Sequence, residues 1–396
     1  MNPIIIIGAG MAGFTVAREL RKLDKAIPLL IVTSDTGAYY SKPMLSNAFA
    51  QKKEAAQLMT QSAAQMAAQL DARILASTHV RGIDPTARTI TTDDGVHAYA
   101  DLVLAVGAQP IRLTIAGDGA DQVLSVNHVA DYARFRDIVA LPKHGASARV
   151  TILGAGLIGC EFADDLASAG HAVTLVDPSP LPLAALAAPA LSRGLQAALM
   201  ARGIVLKLST TASLIERHGD SLRITLADGS MVDTDIVLSA VGLRPDLALA
   251  KATGLTTERG ILVDATGRSS AQHVYAVGDC AEYTIDAAGG TRILPYIAPL
   301  MAAARAIART LTGTPTAIDL KDAPVIVKTP SYPIALVPPP PHAVADGHWE
   351  DEQTAERLIC RFRDAQGVLV GFCVAPQDAA SRNALMGALG TRVDAG

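Results

Sequence analysis

Runs of apolar residues that end in glycine recur along this chain. Residues 4–13 read IIIIGAGMAG and residues 150–159 read VTILGAGLIG, so a fully apolar stretch precedes the same glycine spacing twice. Continuous apolar runs of this length are typical of strands that are buried on both faces of a parallel sheet. The repeat therefore predicts two copies of a unit in which a buried strand turns sharply into a helix.

The residues after each run complete both units. In the first copy the spacing predicts a helix whose apolar face carries Ala12, Val16, Leu20 and Leu23. The run LLIVT then supplies a second strand, which ends before Ser34 and Asp35. In the second copy a helix runs through Glu161, and the strand VTLV ends at Asp177, the acidic residue expected at a ribose.

Glycines at this spacing have a physical role at a dinucleotide site. They permit a tight turn, a close approach of the backbone to a diphosphate and close packing of the helix, whose first N–H groups face the phosphates. Two such motifs in complete strand–helix–strand context predict two dinucleotide sites. The candidate residues are Gly8, Ala9, Gly10, Met11, Ala12 and Gly13 in the first motif and Gly154, Gly156 and Gly159 in the second.

Three further strand patterns follow in a fixed order, namely LVLAVGAQP at 102–110, IVLSAVGLRP at 236–245 and VYAVGD at 274–279. With them the chain resembles the pyridine-nucleotide:flavin oxidoreductases of the glutathione-reductase superfold. The resemblance implies FAD on the first motif, NAD(P)H on the second, and a flavin ribityl chain held by Asp279, with Gly278 allowing close approach. It implies an α/β fold with two Rossmann-like domains and a small α+β C-terminal domain.

The same resemblance implies the domain boundaries. We expect a discontinuous FAD-binding domain, an NAD-binding domain inserted into it, and a short final domain. The expected ranges are 1–112 and 244–320 for the FAD domain, 113–243 for the NAD domain and 321–396 for the C-terminal domain.

Composition narrows the possible partners. The chain has 396 residues, a formal net charge of −4 and 4% aromatic residues, so neither a global basic field nor a base-stacking surface indicates nucleic acid. No apolar stretch reaches the length of a membrane span, and the amino terminus lacks the basic region of a signal peptide. We expect a cytoplasmic protein without a membrane span.

Cysteine usage separates the subgroups of the superfold. The four cysteines are Cys160, Cys280, Cys360 and Cys373, with no CxxC pair and none before residue 160. This pattern indicates neither a disulfide framework nor a zinc site. Relatives that reduce disulfides or peroxide carry cysteines near the flavin, so we expect this chain to pass electrons directly to an external acceptor.

Several motifs together resemble one subgroup, the rubredoxin reductases, over essentially the whole chain. They are YSKPMLS, LGAGLIGCEFADDL, SAVGLRP, VYAVGDCAE, IAPLM and VIVKTP. The resemblance implies an enzyme that oxidises NADH through bound FAD and reduces rubredoxin, a small acidic iron protein, by single-electron transfer. IAPLM departs from the more usual valine-containing form, and Ser34-Asp35 stands where many relatives have paired acids.

Site residues follow from the resemblance position by position. Lys42 and Glu161 are expected at the flavin and nicotinamide, as the catalytic pair. The other expected FAD contacts are Ser34 or Asp35 at the adenosine ribose, Val80 at the adenine, and Asp279, Ile297 and Lys328. We expect Ile297 to act through its backbone, ahead of a helix that begins near Pro299. Asp177, with no arginine in the following PSPLPLAA, predicts NADH rather than NADPH.

Two rival hypotheses share these motifs. A ferredoxin reductase serving an oxygenase has every nucleotide motif and differs in its acceptor. A nucleotide-binding interaction protein, related in fold to flavoprotein death effectors, would carry a structural flavin. Such proteins commonly add basic surface or long insertions, and neither is evident in this sequence.

Overall fold

The structure is a computed structural model that describes residues 1–141, 147–284 and 290–392. The chain divides into two compact units, and each unit is assembled from separate segments. The first unit comprises residues 1–42, 56–109 and 243–321. The second unit comprises the described residues of 43–55, 110–242 and 322–396.

The described helices and strands are as follows. The helices are α1 (Met11–Leu23), α2 (Ala55–Leu58), α3 (Ala63–Leu70), α4 (Val129–Val139), α5 (Leu157–Ser168), α6 (Pro189–Ala201), α7 (Ala248–Ala252), α8 (Ile297–Leu311), α9 (Pro341–Val344) and α10 (Ala379–Ala388). Short 3₁₀ segments cover Lys42–Asn47, Ala120–Gln122 and Gly278–Cys280. The strands are β1 (Ile4–Ile7), β2 (Leu29–Val32), β3 (Tyr39–Tyr40), β4 (Met59–Gln61), β5 (Arg73–Leu75), β6 (Val80–Asp84), β7 (Thr89–Thr92), β8 (Gly95–Ala98), β9 (Asp101–Leu104), β10 (Ala108–Pro110), β11 (Arg149–Leu153), β12 (Ala172–Asp177), β13 (Val205–Leu208), β14 (Ala212–His218), β15 (Ser221–Leu226), β16 (Met231–Thr234), β17 (Ile236–Ser239), β18 (Leu243–Pro245), β19 (Ile261–Val263), β20 (Val274–Ala276), β21 (Ala281–Thr284), β22 (Thr291–Ile293), β23 (Val325–Val327), β24 (Ile334–Val337), β25 (His348–Gln353), β26 (Leu358–Arg363) and β27 (Leu369–Ala375).

A parallel sheet in the order β20-β9-β1-β2-β5 forms the core of the first unit. Its central strand, β1, is buried along its whole length, because Ile4 pairs with Leu29 on one side and with Asp101 on the other. Both α1 and α8 contribute buried residues to this core and pack on each other. The apolar runs of the sequence thus become strands covered on both faces.

The apolar face predicted for α1 is correct except at its end. Ala12, Val16 and Leu20 are buried, whereas Leu23 is 49% exposed. The last turn is held by hydrogen bonds instead of apolar packing, because Arg21 donates to the carbonyl oxygens of Leu70 and Asp71 at 2.5 and 2.9 Å. Leu23 therefore lies outside the core.

The second unit contains the second parallel sheet, in the order β13-β12-β11-β17, and a three-stranded antiparallel sheet, β14-β15-β16. Its final segment forms a five-stranded antiparallel sheet in the order β23-β24-β27-β26-β25, against which α10 and α6 pack. Val337, Phe372 and Leu385 belong to the small core of this sheet.

These sheets confirm the predicted fold class of two nucleotide-binding parallel sheets followed by a small α+β segment. One boundary differs from the prediction, because α8 begins at Ile297 rather than near Pro299. Pro299 is tolerated there, since N–H groups in the first helical turn have no partner within the helix. Among the described helices, none has both the length and the apolar character that crossing a membrane requires.

Candidate active site

The first glycine motif forms a loop that a dinucleotide diphosphate fits. Gly8 has φ of +112°, and a Cβ there would lie 2.2 Å from the carbonyl oxygen of Ala105. A Cβ on Gly13 would lie 2.0 Å from the carbonyl oxygen of Gly8, so the helix packs against its own loop. A Cβ on Gly10 would meet nothing within 4 Å, and the first turn of α1 holds no acid. The free space in front of the helix N–H groups suits an anion.

Three further candidate residues belong to the first unit, and one of them, Gly278, adjoins this loop. Gly278 has φ of +78°, and a Cβ there would lie 2.9 Å from the Cβ of Ala12. Its N–H donates to the Tyr283 hydroxyl at 3.1 Å, which fixes the turn that carries the partly exposed Asp279. Ile297 is the first residue of α8, the helix that packs on α1, and it is 52% exposed.

The residues expected at the adenosine end also come together. Ser34 and Asp35 follow β2, and Val80 opens β6. The N–H groups of Ser77 and Thr78 donate to the carbonyl oxygens of Asp35 and Thr33, both at 2.9 Å, which brings the segment before β6 to the end of β2. The Asp35 carboxylate accepts the N–H of Thr36 in its own turn at 2.7 Å.

The second glycine motif repeats this geometry in the second unit. Gly154 has φ of +105°. A Cβ on Gly159 would lie 1.8 Å from the carbonyl oxygen of Gly154, whereas a Cβ on Gly156 would meet nothing within 4 Å. Here a carboxylate supports the loop, because Asp177 accepts the N–H of Ala155 at 2.6 Å and that of Ser179 at 2.7 Å. Each carboxylate oxygen can accept more than one hydrogen bond, so Asp177 retains capacity for a ribose hydroxyl.

Glu161, in the first turns of α5, is the centre of a buried polar group. It is 2% exposed, and its Oε2 lies 2.5 Å from Ser46 Oγ and 2.5 Å from Lys328 Nζ. The backbone N–H of Lys328 donates to Oε1 at 2.9 Å. The structure thus brings two of the candidate residues, Glu161 and Lys328, into one ion pair. A pairing of Glu161 with Lys42 stays a prediction, as does a flavin contact of Lys328.

Two acids on α5 belong to the same group and were missed by sequence reasoning. Asp164 is fully buried, accepts the N–H of Ser331 at 3.0 Å and lies 2.7 Å from Nε of Arg202. Asp165 is 5% exposed and accepts the N–H groups of Phe49 at 2.7 Å and Ala50 at 3.1 Å. The available signal was the spacing, because residues three and four positions after Glu161 share its helix face.

Burial dominates the electrostatics of Asp165. It raises the pKa of the carboxyl from 3.8 to about 6, although the N–H groups of Ala50 and Phe49 act in the opposite direction and Asp164 and Glu161 add repulsion. The carboxylate is therefore mostly ionised at neutral pH and mostly protonated in mild acid.

Burial also governs the chemistry of the thiols. All four cysteines are buried and unbridged. Burial raises the pKa of Cys160 far above that of an ordinary thiol and raises the pKa of Cys280 to about 11. Because the thiolate is the reactive form, neither cysteine is suited to redox exchange at neutral pH.

A family model of the pyridine nucleotide-disulphide oxidoreductases matches residues 2–306. The chain belongs to this family, which uses FAD and NADH, so the expected enzyme class and cofactors are confirmed. A second model, described as a rubredoxin binding C-terminal domain, matches residues 317–389.

Curated relatives share most of their length with this chain. The rubredoxin-NAD(+) reductase of Acinetobacter baylyi is 42% identical, covering 94% of this chain and 93% of the relative. The rubredoxin-NAD(+) reductase of Alcanivorax borkumensis is also 42% identical, covering 94% of this chain and 95% of the relative. The nitric oxide reductase FlRd-NAD(+) reductase of Aeromonas hydrophila is 38% identical, covering 94% and 92%. The predicted resemblance to rubredoxin reductases is confirmed.

Solved structures support the fold. The ferredoxin reductase for the CYP199A2 system from Rhodopseudomonas palustris matches with a TM-score of 0.88 at 24% identity, covering 99% of this chain and 96% of the other. The putidaredoxin reductase in its covalent complex with putidaredoxin matches with a TM-score of 0.87 at 22% identity, covering 99% and 94%. At these identities the likeness concerns the fold alone.

Proposed function

We propose that this protein is an NADH:rubredoxin oxidoreductase. The observation that carries the proposal is the match of residues 317–389 to a rubredoxin binding domain, in a chain whose remaining length matches a pyridine-nucleotide oxidoreductase model. Relatives named rubredoxin-NAD(+) reductase support it over 94% of the chain. A bound flavin supplies the chemistry, because it accepts a hydride from nicotinamide and releases electrons singly.

The residues of the first unit would hold FAD. The N–H groups of the first glycine loop and of the start of α1 would bind the diphosphate, and Asp279 would accept hydrogen bonds from ribityl hydroxyls. Ser34 or Asp35 and Val80 would contact the adenosine end. The exposed start of α8 at Ile297 directs helix N–H groups outward, where they would stabilise negative charge.

The residues of the second unit would hold and orient NADH. Gly156 leaves room for the diphosphate, and Asp177 would bind the adenosine ribose while repelling a 2′-phosphate. Of the expected catalytic pair, Glu161 belongs to this unit and Lys42 to the first; each would orient a reacting ring, because hydride transfer depends on position and needs no proton transfer by a side chain. The buried thiols offer no internal relay, so a direct external acceptor is favoured.

Acceptor assays test this proposal. The purified protein, loaded with FAD, should reduce rubredoxin with NADH much faster than it reduces a [2Fe–2S] ferredoxin, and NADPH should serve poorly. Rapid reduction of the ferredoxin with no reduction of rubredoxin would favour the rival reductase. Flavin that NADH does not reduce would favour an interaction protein with a structural cofactor.

The proposal also includes the domain boundaries and the cellular location. We place the FAD domain at 1–112 and 244–320, the NAD domain at 113–243 and the C-terminal domain at 321–396, boundaries that limited proteolysis can test. We also place the enzyme in the cytoplasm, since free thiols such as the opposed pair Cys360 and Cys373 persist in a reducing compartment. Cell fractionation tests that location.

A further inference from the structure

Residues 46–50 are attached to α5 at two points one helical turn apart. Ser46 Oγ lies 2.5 Å from Glu161, and the N–H groups of Phe49 and Ala50 donate to the two oxygens of Asp165 at 2.7 and 3.1 Å. Glu161 and Asp165 are four residues apart and face the same side of the helix. Two attachments to one helix fix both the position and the register of this segment.

An aromatic cluster also contacts residues 46–50, but it does not fix the direction of their backbone N–H groups as the hydrogen bonds to α5 do. The Phe49 ring makes edge contacts with Tyr132, Phe135 and His171, with centroid distances of 5.4, 5.3 and 6.2 Å. Apolar burial is non-directional, so the cluster retains the segment without fixing its backbone. A charged acceptor for two adjacent N–H groups does impose a direction.

The Asp165 carboxylate is not explained by stability. Its pKa in the folded protein, about 6, lies above the ordinary value of 3.8. The folded state therefore binds the proton more tightly than the unfolded state, and its stability falls as the pH rises from about 4 through about 6. In the folded state the ionised form is therefore less favourable, relative to the protonated form, than in the unfolded state, and the specific contribution of the carboxylate is its pair of hydrogen bonds from Phe49 and Ala50.

We propose that Asp165 is a positioning residue for hydride transfer, whose carboxylate holds residues 46–50 on α5 and thereby sets Ser46 against Glu161. The 3₁₀ turn Lys42–Asn47 carries both Lys42 and Ser46, so the attachment also restrains the turn that contains Lys42. The inference rests on the proposed function only for the nature of the reaction. Loss of the charge leaves one of the two N–H groups without a full acceptor and loosens the segment.

Other titratable groups face this site and define the controls. On α5 itself, Glu161 and Asp164 raise the pKa of Asp165. From the neighbouring segments come Tyr132, whose pKa is raised by burial, His171, whose pKa is lowered by burial, and the Glu54–Arg136 ion pair at 2.7 Å. The His171 ring contacts the Phe49 ring, and its pKa is lowered by burial, so its variant is required.

Asp165→Asn in the FAD-loaded protein is the direct test. We expect flavin reduction by NADH to be roughly 10-fold slower in the variant at neutral pH, because a loosened segment is displaced by less than the ~1 Å that costs about 100-fold. In the unaltered protein the rate should fall below about pH 6, and in the variant this inflection should be absent. Melting temperature should be unchanged or higher in the variant, since the amide relieves a buried charge.

Amide hydrogen exchange supplies a readout that is independent of activity. Protection of the Phe49 and Ala50 amides, corrected for intrinsic exchange, should fall below about pH 6 in the unaltered protein and be low in Asp165→Asn at every pH. Protection that stays constant across this range would overturn the proposal even if the variant failed to fold. Neither measurement uses rubredoxin, so an error in the acceptor leaves the test intact.

Two control variants complete the design. Tyr132→Phe removes a hydrogen bond of 2.9 Å to the carbonyl oxygen of Lys53, three residues beyond the segment, and should keep the normal rate and inflection. His171→Gln should keep the inflection as well. The proposal fails if Asp165→Asn retains the normal rate and pH profile, if the inflection disappears in His171→Gln, or if Asp165→Asn loses its rate only together with stability and FAD.

Discussion

The two glycine motifs fold into nearly the same loop, yet the helices that follow them differ in character. The first helix, α1, buries apolar residues such as Phe14, Val16 and Leu20. Its only buried polar residue is Thr15, whose hydroxyl donates to the Met11 carbonyl oxygen at 2.6 Å. The second helix, α5, buries three acids, namely Glu161, Asp164 and Asp165. Together these acids contact residues 46–50 and 328–331 of the second unit, and Asp164 also contacts Arg202.

The acids after the second strand of each motif differ in the same way. Asp35 accepts a hydrogen bond within its own turn, from Thr36 at 2.7 Å. Asp177 instead accepts the N–H of Ala155, inside the second glycine loop, at 2.6 Å. The acid after the second strand therefore supports the glycine loop in the second motif and supports its own turn in the first.

The two loops have nearly the same geometry but would bind different dinucleotides. Under the proposed function the first loop would hold a cofactor that stays bound, and its helix is buried through apolar residues. The second loop is suited to a nucleotide that enters and leaves, and its helix also anchors residues 46–50 and 328–331. Buried acids are costly to stability but fix direction, which apolar contacts do not.

The largest effect should come from adding a methyl group to the last glycine of each motif. Gly159→Ala forces α5 away from its loop, because the new Cβ would lie 1.8 Å from the Gly154 carbonyl oxygen. Flavin reduction by NADH should fall ~100-fold while FAD is retained, since about 1 Å of displacement has this effect. Stopped-flow absorbance and flavin content measure both quantities.

Gly13→Ala is the matched change in the first motif, with a contact of 2.0 Å to the Gly8 carbonyl oxygen. It should yield protein with little bound FAD. If Gly159→Ala lost FAD and Gly13→Ala kept it, the assignment of the two loops would be reversed.

A smaller effect should distinguish the two lysines proposed near Glu161. Lys328→Met should lower the free energy of unfolding by about 3 kcal/mol, because it leaves a buried carboxylate without its cation. Adding Glu161→Gln should then cost little more, so the two changes couple by more than ~1 kcal/mol.

Lys42→Met should instead slow flavin reduction ~10-fold with FAD retained. Urea unfolding and stopped-flow reduction measure the two outcomes.

The control for this experiment lies in the first helix. Thr15→Val removes the buried hydroxyl of α1, which contacts the Met11 carbonyl oxygen and Met301 Sδ, and should cost no more than about 1 kcal/mol. Equal costs for Thr15→Val and Lys328→Met would show that the buried acids of α5 are not special. Strong coupling of Lys42, but not Lys328, to Glu161 would contradict the ion pair seen in the structure.

Sequence patterns predicted the parts of the fold that depend on local rules. The apolar run at 4–7, the glycine spacing and Asp177 each fix a backbone feature within a few residues, and all appear in the structure. Asp164 and Asp165 were not predicted, because their partners Ser331 and Phe49 are more than 100 positions away in the chain. A helical pattern identifies a shared face but not what covers it.

The contrast between Asp177 and Asp35 predicts a more modest change in nucleotide preference. Asp177→Ala combined with Ser179→Arg should narrow the preference for NADH over NADPH at least ~10-fold, because repulsion of the 2′-phosphate is replaced by a cation. Part of the loss with NADH should come from the Ala155 N–H, which loses its acceptor. Catalytic efficiency with each nucleotide measures the change. Asp35→Ala should leave this ratio unaltered, and a comparable shift in that variant would remove the distinction between the motifs.

The smallest effect concerns charges that stay outside the core. Arg305 and Arg309 are exposed on α8, whereas α5 buries its charged residues. If rubredoxin, which is acidic, approaches these arginines, replacing both by Ala should slow rubredoxin reduction ~3-fold at low ionic strength and flatten its decline with added salt. Reduction of the flavin by NADH and of ferricyanide should be unchanged, because neither requires protein docking.

Lys22→Ala is the matched control, since Lys22 is an exposed cation of the same unit, on α1, that already pairs with Glu19 at 2.7 Å. It changes the net charge by one without altering α8. If Lys22→Ala reproduced half of the double variant's effect, the salt dependence would reflect net charge alone. If the arginine variant behaved like the unaltered protein, rubredoxin would have to approach another surface, and the exposed charges of α8 would have no part in distinguishing the two motifs. A selective effect of the arginines would instead show that α8 of the first unit contributes to acceptor binding.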